Sequence, residues 1–239
     1  DNGIEEQAFV LGAPQDEQAA RKDIMRRAYL ASVWDADRYV GQILDSLRET
    51  GQLDQTVVVL LADHGEEVWE LDWYGHSNPW REGVVRVPLV IRVPGGPTGR
   101  YDDRTVRLVD MAPTVASALG LSELPDTWQG VDVFGEQFPA VPAVCERAGY
   151  TSLSENGSVK AVFGPRAQKT AIYDLTAGPE SEDTHLEGDA YQFADSHFQG
   201  LLERYLEQAP PTLTPGDQVL TEEDEARLLE TLKALGYVE

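Results

Sequence analysis

The stretch Val57-Val58-Val59-Leu60-Leu61-Ala62-Asp63-His64-Gly65 constrains this chain more than any other. Six apolar residues, three of them β-branched, read as a strand buried on both faces, as inside a parallel sheet. An acid, an imidazole and a glycine follow without a break, and the glycine frees the backbone to turn. In open α/β sheets, ligand sites lie just beyond the carboxyl ends of the strands. A carboxylate oxygen beside a neutral imidazole nitrogen suits a divalent ion such as Zn, Mn or Ca. Taken alone, the nine residues fit equally well an Asp-His pair that caps a turn.

The flanking sequence fits an α/β layout. Ile24, Ala28, Ala31, Ala36, Val40, Ile43, Leu44 and Leu47 recur at three- and four-residue spacings, which predicts a helix over 17–50 that Gly51 stops. Residues 1–16 read as irregular, 65–83 as a long loop over the sheet's carboxyl edge, and 87–93 as a second core strand. A short helix is predicted over 110–119, with Pro113 in its first turn, where a missing N–H costs little. From about Phe138 the texture changes. Short strands over 141–147, 159–163 and 171–175 suggest a small antiparallel sheet, followed by an acidic loop over 178–189 and a helix over 198–208. A linker over 210–216 and a final helix follow; Thr221-Glu222-Glu223-Asp224 resembles a capping box that opens this helix, and Gly236 closes it.

Composition excludes several classes of function. Nineteen basic residues against 42 acidic ones give a net charge of −23. That argues against nucleic acid, whose phosphates need Lys and Arg, and against anionic membrane surfaces. It also disfavours long-range steering of an anionic substrate, so any attraction must be local. No apolar run is long enough to span a bilayer. The single cysteine, Cys145, cannot form an intrachain disulfide and reads as a small buried hydrophobe; the compartment is left open.

Downstream of the strand come Trp73-Tyr74-Gly75-His76, Trp80-Arg81-Glu82-Gly83, Arg86-Val87-Pro88-Leu89-Val90-Ile91 and Pro94-Gly95-Gly96. Val109-Asp110-Met111-Ala112-Pro113-Thr114 and Ile172-Tyr173-Asp174-Leu175 complete the order. This ordered set resembles the sulfatase family of the alkaline-phosphatase superfamily over roughly residues 28–239. The resemblance implies an α/β, alkaline-phosphatase-like sheet flanked by helices, present in part. It assigns residues 1–137 to the C-terminal part of the catalytic domain and 138–239 to a small α+β subdomain that ends in a helix.

The implied activity is metal-dependent hydrolysis of sulfate esters, with small-molecule or glycan sulfate esters as substrates and possible self-association into an oligomer. Asp63 and His64 match the metal-ligand positions, for one divalent ion (Ca, Mn or Zn). His76 matches the position that serves the leaving group, as a catalytic and substrate-binding residue. Arg81 offers a guanidinium for the substrate anion, although pairing with Glu82 or Glu66 competes for it. The family's Cys- or Ser-x-Pro-x-Arg motif, source of a formylglycine nucleophile, is expected in a missing preceding segment, and these residues alone are then expected to be inactive. Ser77-Asn78-Pro79-Trp80-Arg81 fits that pattern literally but sits after the Asp-His-Gly strand and lacks the apolar helix that should follow. Asp1-Asn2-Gly3 resembles a metal motif but has no strand before it. Gly178 and His185 stand where the family has Asp and Asn; His185 and His197 read as surface residues. Trp69, Trp73, Tyr74 and Trp80 fit either a pocket lining or the packing of a long loop. A phosphodiester or phosphonate hydrolase, a phospho-group transferase, and a non-catalytic binding module are the competing readings.

Overall fold

A computed structural model describes residues 4–76, 78, 80–96, 98–99, 105–121, 124–125, 127–135, 142–147, 150–164, 171–178 and 180–208. Two compact units divide the chain, residues 1–199 and 200–239; the second is described only over 200–208, the end of a helix. The expected linker over 210–216 and the final helix lie outside the described residues.

The first unit opens with α1 (Ile4–Leu11), where an irregular segment was expected, and the 35-residue α2 (Gln15–Glu49). Asp16 and Glu17 sit in the first turn of α2, where acids favour the positive end of the helix dipole. Thr50 and Gly51 return their N–H groups to the carbonyls of Ser46 and Arg48, and Gly51 adopts φ 68°, so the predicted stop is where the helix ends. The predicted apolar stripe is covered only in part: Val40, Leu44 and Leu47 are half-buried, and the rest of the row is exposed. Ile24 is 56% and Ile43 62% exposed, whereas Met25 and Tyr29 pack against a core of Val10, Val68 and Trp69. Periodicity reports that a helix has an apolar row, but the element lying opposite decides which row is covered. Arg26 fastens α2 there, donating to the carbonyls of Val68 (3.0 Å) and Trp69 (2.8 Å).

β1 (Val58–Leu61) runs into Asp63-His64-Gly65. The long loop that follows contains an antiparallel hairpin, β2 (Glu67–Val68) with β3 (Tyr74–Gly75), and a single helical turn, α3 (Glu82–Val85). Trp69 is 2% exposed and packs this loop down against α1 and α2, so it does not line a pocket. β4 (Leu89–Arg92) then pairs antiparallel with β1, Val58 opposite Arg92 and Leu61 opposite Leu89. This corrects the expected setting of β1 inside a parallel sheet: among the described residues β4 is its one neighbour, and Leu60, Leu61 and Val90 are exposed. An apolar run records what a strand can bury, not the direction of its partner.

A 3₁₀ turn over Leu108–Asp110 leads into α4 (Met111–Ala118). The fully buried Asp110 carboxylate accepts from the Arg107 N–H (2.9 Å), Arg107 Nη2 (2.7 Å) and the Val131 N–H (3.0 Å). β5 (Ala143–Arg147), β6 (Tyr150–Glu155), β7 (Val159–Phe163) and β8 (Ala171–Asp174) form the expected antiparallel sheet, in sequence order. β6 went unpredicted because its run Tyr-Thr-Ser-Leu-Ser-Glu carries little apolar alternation. Leu153, Ala161 and Ile172 are its fully buried core. Cys145 is half-buried in β5. α5 (Gly188–Gln208) begins ten residues earlier than predicted, which ends the acidic loop at Glu187.

Candidate active site

The end of β1 and the β2–β3 hairpin build the site together. The Asp63 carboxylate, at 90% side-chain exposure, accepts the His64 N–H through Oδ1 (2.9 Å). His64 Nδ1 lies 3.0 Å from the Gly65 carbonyl, and because a carbonyl can only accept, Nδ1 carries the proton. Nε2 is then the basic nitrogen, the arrangement by which an outer hydrogen bond fixes a ligating imidazole. Asp63 Oδ2 stands 3.9 Å from it. That gap is less than two metal–ligand bonds of about 2.1 Å each, so one ion can join the two atoms. The expected pair therefore fits a divalent ion.

Gly65 is required by a close approach: a Cβ there would lie 2.2 Å from the Gly83 carbonyl oxygen. The Gly65 N–H also donates to Val84 O at 2.7 Å, so α3 is fastened directly beneath the Asp-His pair.

Glu67 faces Gly75 and Val68 faces Tyr74, so one step outward Glu66 and His76 are cross-strand neighbours. His76 Nδ1 lies 3.1 Å from Glu66 Oε2 and donates to that carboxylate. The His76 ring stacks on His64, with centroids 4.3 Å apart and planes tilted by 31°. His64, Glu66 and His76 each bring a ligand atom within 4.8 Å of the others, a second donor set that shares His64 with the first. Glu66 was weighed from sequence only as an arginine partner; its signal was the hairpin register, which a loop assignment conceals. The Tyr74 phenol is pushed up by burial and then by the Glu66 charge.

Arg81 is the residue before α3. Nη1 donates to Glu180 O (2.6 Å) and Nε stands 3.9 Å from Glu67 Oε1, so its acidic neighbour is neither Glu82 nor Glu66. Glu67 is 2% exposed; burial raises its carboxyl above the ordinary value, against the hydrogen bond from Asn78 Nδ2 (3.2 Å) and the Arg81 charge. His185 is not a surface residue: it pairs with Tyr173 across an isolated bridge and is half-buried between the Tyr173 and Tyr191 rings. His197 is exposed and bonded to Glu155 at 2.7 Å.

The family model described as Sulfatase matches residues 6–121. An endo-4-O-sulfatase of Bacteroides thetaiotaomicron is 31% identical over 73% of this chain and 38% of its own length. The chain belongs to the sulfatase family. A choline-sulfatase of Rhizobium meliloti is 38% identical over 41% of this chain and 19% of its own length. Among solved structures, one in complex with its substrate D-glucosamine-2-N,6-O-disulfate superposes with a TM-score of 0.69 at 22% identity. It covers 84% of this sulfatase-family chain and 45% of the other. A phosphonate monoester hydrolase from Silicibacter pomeroyi has a TM-score of 0.65 at 22% identity, over 88% and 46%. The alkaline-phosphatase-like α/β fold is thereby shown, and the chain spans less than half the length of these relatives. No helix among the described residues is long and apolar enough to cross a membrane.

Proposed function

We propose that this chain contributes the metal pair and the leaving-group side of an active site that hydrolyses sulfate esters, with sulfated glycans or small molecules as substrates. The observation that carries this reading is the stacking of His76 on His64 beside Asp63, which gathers the assigned residues at the end of β1. Asp63 and His64 hold one divalent ion, Ca, Mn or Zn. When bound, such an ion polarises the non-bridging oxygens of the ester. In this reading a hydroxyl of hydrated formylglycine would supply the oxygen that bonds to sulfur as the alcohol leaves. His76 keeps Nδ1–H on Glu66, and a proton delivered from Nε2 to the bridging oxygen as the S–O bond breaks would let the alcohol leave neutral. In this reading Arg81 meets the substrate anion through Nη2 alone, because Nη1 donates to Glu180 O and Nε is buried beside Glu67. The catalytic part runs over residues 1–137 and the C-terminal subdomain over 138–239.

A second reading rests on His64 at the second metal position and on the likeness to the phosphonate monoester hydrolase fold: the same groups would act on a phosphonate or phosphate ester. Turnover by the complete gene product separates the two. Faster release from p-nitrophenyl sulfate than from phenyl phosphonates, abolished by Asp63→Ala, supports the first reading. The reverse preference supports the second. Absence of turnover on both, with metal still bound, favours a binding module.

A further inference from the structure

Lys160 lies in β7, is fully buried, and takes no part in the chemistry above. Its ammonium donates to Trp80 O (2.7 Å) and Glu180 Oε1 (2.8 Å) and pairs with the Glu82 carboxylate. The three donors of the ammonium are thus all used, as a buried charge requires. Glu180, itself 3% exposed, receives the Glu82 N–H on both carboxylate oxygens (3.1 and 3.2 Å), and its carbonyl accepts from Arg81 Nη1. The Trp80 ring rests on Tyr150 of β6, with centroids 4.6 Å apart. Residues 80–82 are therefore gripped by side chain, main chain and ring from β6, β7 and the segment that follows β8.

The same short segment touches the site on its other side. Val84 O receives the Gly65 N–H, and Gly83 O fills the space above the Gly65 Cα. Gly65 adjoins His64, and His76 lies four residues before Trp80. A continuous path runs from Lys160 through Trp80 and Glu82 to α3, and from α3 to the Asp-His pair. Buried ion pairs are weak contributors to net stability, since apolar replacements of similar shape are often neutral. A grip of this kind fixes where a segment sits more than it stabilises the fold.

We propose that Lys160, with Glu180 and Glu82, is the positioning residue of the site: it holds α3 against Gly65 and thereby sets the placement of His64 and His76. The catalytic consequence rests on the sulfate-ester reading; the positional one does not.

Amide hydrogen exchange of Lys160→Met tests it. Gly65, Val84, Val85 and Arg86 donate to Val84 O, Arg81 O, Arg81 O and Glu82 O. Their exchange is expected to speed up by at least about tenfold while amides paired within β5–β8 stay within about twofold. Unchanged exchange at the four amides overturns the proposal. An equal rise in both regions does the same, because it marks a residue that only stabilises the fold. Glu180→Gln, which keeps the shape and removes the charge, is expected to give the same local pattern and decides the matter if Lys160→Met does not fold. In the complete gene product, Lys160→Met is expected to lower kcat at least about tenfold with KM within about threefold, partly restored in Lys160→Arg. Wild-type protein that turns over while Lys160→Met matches its kcat overturns the proposal. Wild-type protein that releases no sulfate counts against the sulfate-ester reading, and exchange at the four amides then decides this one.

Discussion

Gly65→Ala is the substitution whose cost follows most directly from the geometry around the metal pair. The new Cβ would stand 2.2 Å from Gly83 O, and contacts under 3.0 Å are essentially never seen, so a backbone carbonyl must retreat by roughly 0.8 Å. Overpacking of this kind costs about 1–3 kcal/mol. Retreat of α3 also stretches the 2.7 Å bond from Gly65 N–H to Val84 O, a further loss of about 0.5–1.5 kcal/mol. Alanine restricts the unfolded chain and returns about 0.4–1 kcal/mol. The net expectation is a destabilisation of about 0.5–4 kcal/mol, read as a lower urea midpoint at constant m. Metal affinity is expected to fall about 10–100-fold as His64 loses its supporting backbone. Gly41→Ala is the matched control. A Cβ at Gly41 in α2 meets nothing within 4 Å, and alanine there is expected to stabilise by about 0.5–1 kcal/mol. Gly65→Ala protein with wild-type stability and wild-type metal affinity would refute the close-packing account.

Two further outcomes are expected. Glu67 titrates above its ordinary value of 4.5 in the folded protein because burial opposes its charge, so the folded state binds that proton more tightly than the unfolded one. This contribution to stability is complete below about 4.5 and declines as pH rises through the folded value; Glu67→Gln is expected to remove the decline. Urea titrations that show the same variant-to-wild-type difference at pH 4.5 and pH 7 would contradict it. Asp110→Ala strands a partly buried guanidinium and the Val131 N–H, at an expected cost of about 3–5 kcal/mol in urea unfolding, and a loss under about 1 kcal/mol would show that the carboxylate is dispensable.

The site was legible where chemistry is written in adjacent residues. Asp63-His64-Gly65 after an apolar run, and Gly75-His76 beyond it, located the two histidines that the structure stacks together. The helix stop at Gly51, strand β7 and strand β8 were readable from turn chemistry and apolar runs. What stayed hidden depends on pairing between distant elements. The Glu66–His76 contact exists because β2 folds onto β3, and Lys160 meets Glu82 and Glu180 across 78 and 20 residues of chain. The antiparallel partner of β1 and the covered row of α2 are hidden for the same reason, since each is decided by what lies opposite. Arg81 shows the limit from the other side: its residue type suits an anion, but Glu180 O and Glu67 occupy two of its faces.

Calorimetric titration of Ca²⁺, Mn²⁺ and Zn²⁺ into the protein and its Asp63→Ala, His64→Ala and His76→Ala variants tests the assignment of the metal pair most directly. One ion per chain is expected, lost in Asp63→Ala and in His64→Ala and retained in His76→Ala. Binding that survives Asp63→Ala but vanishes in His76→Ala would place the ion among His64, Glu66 and His76 and contradict the assignment.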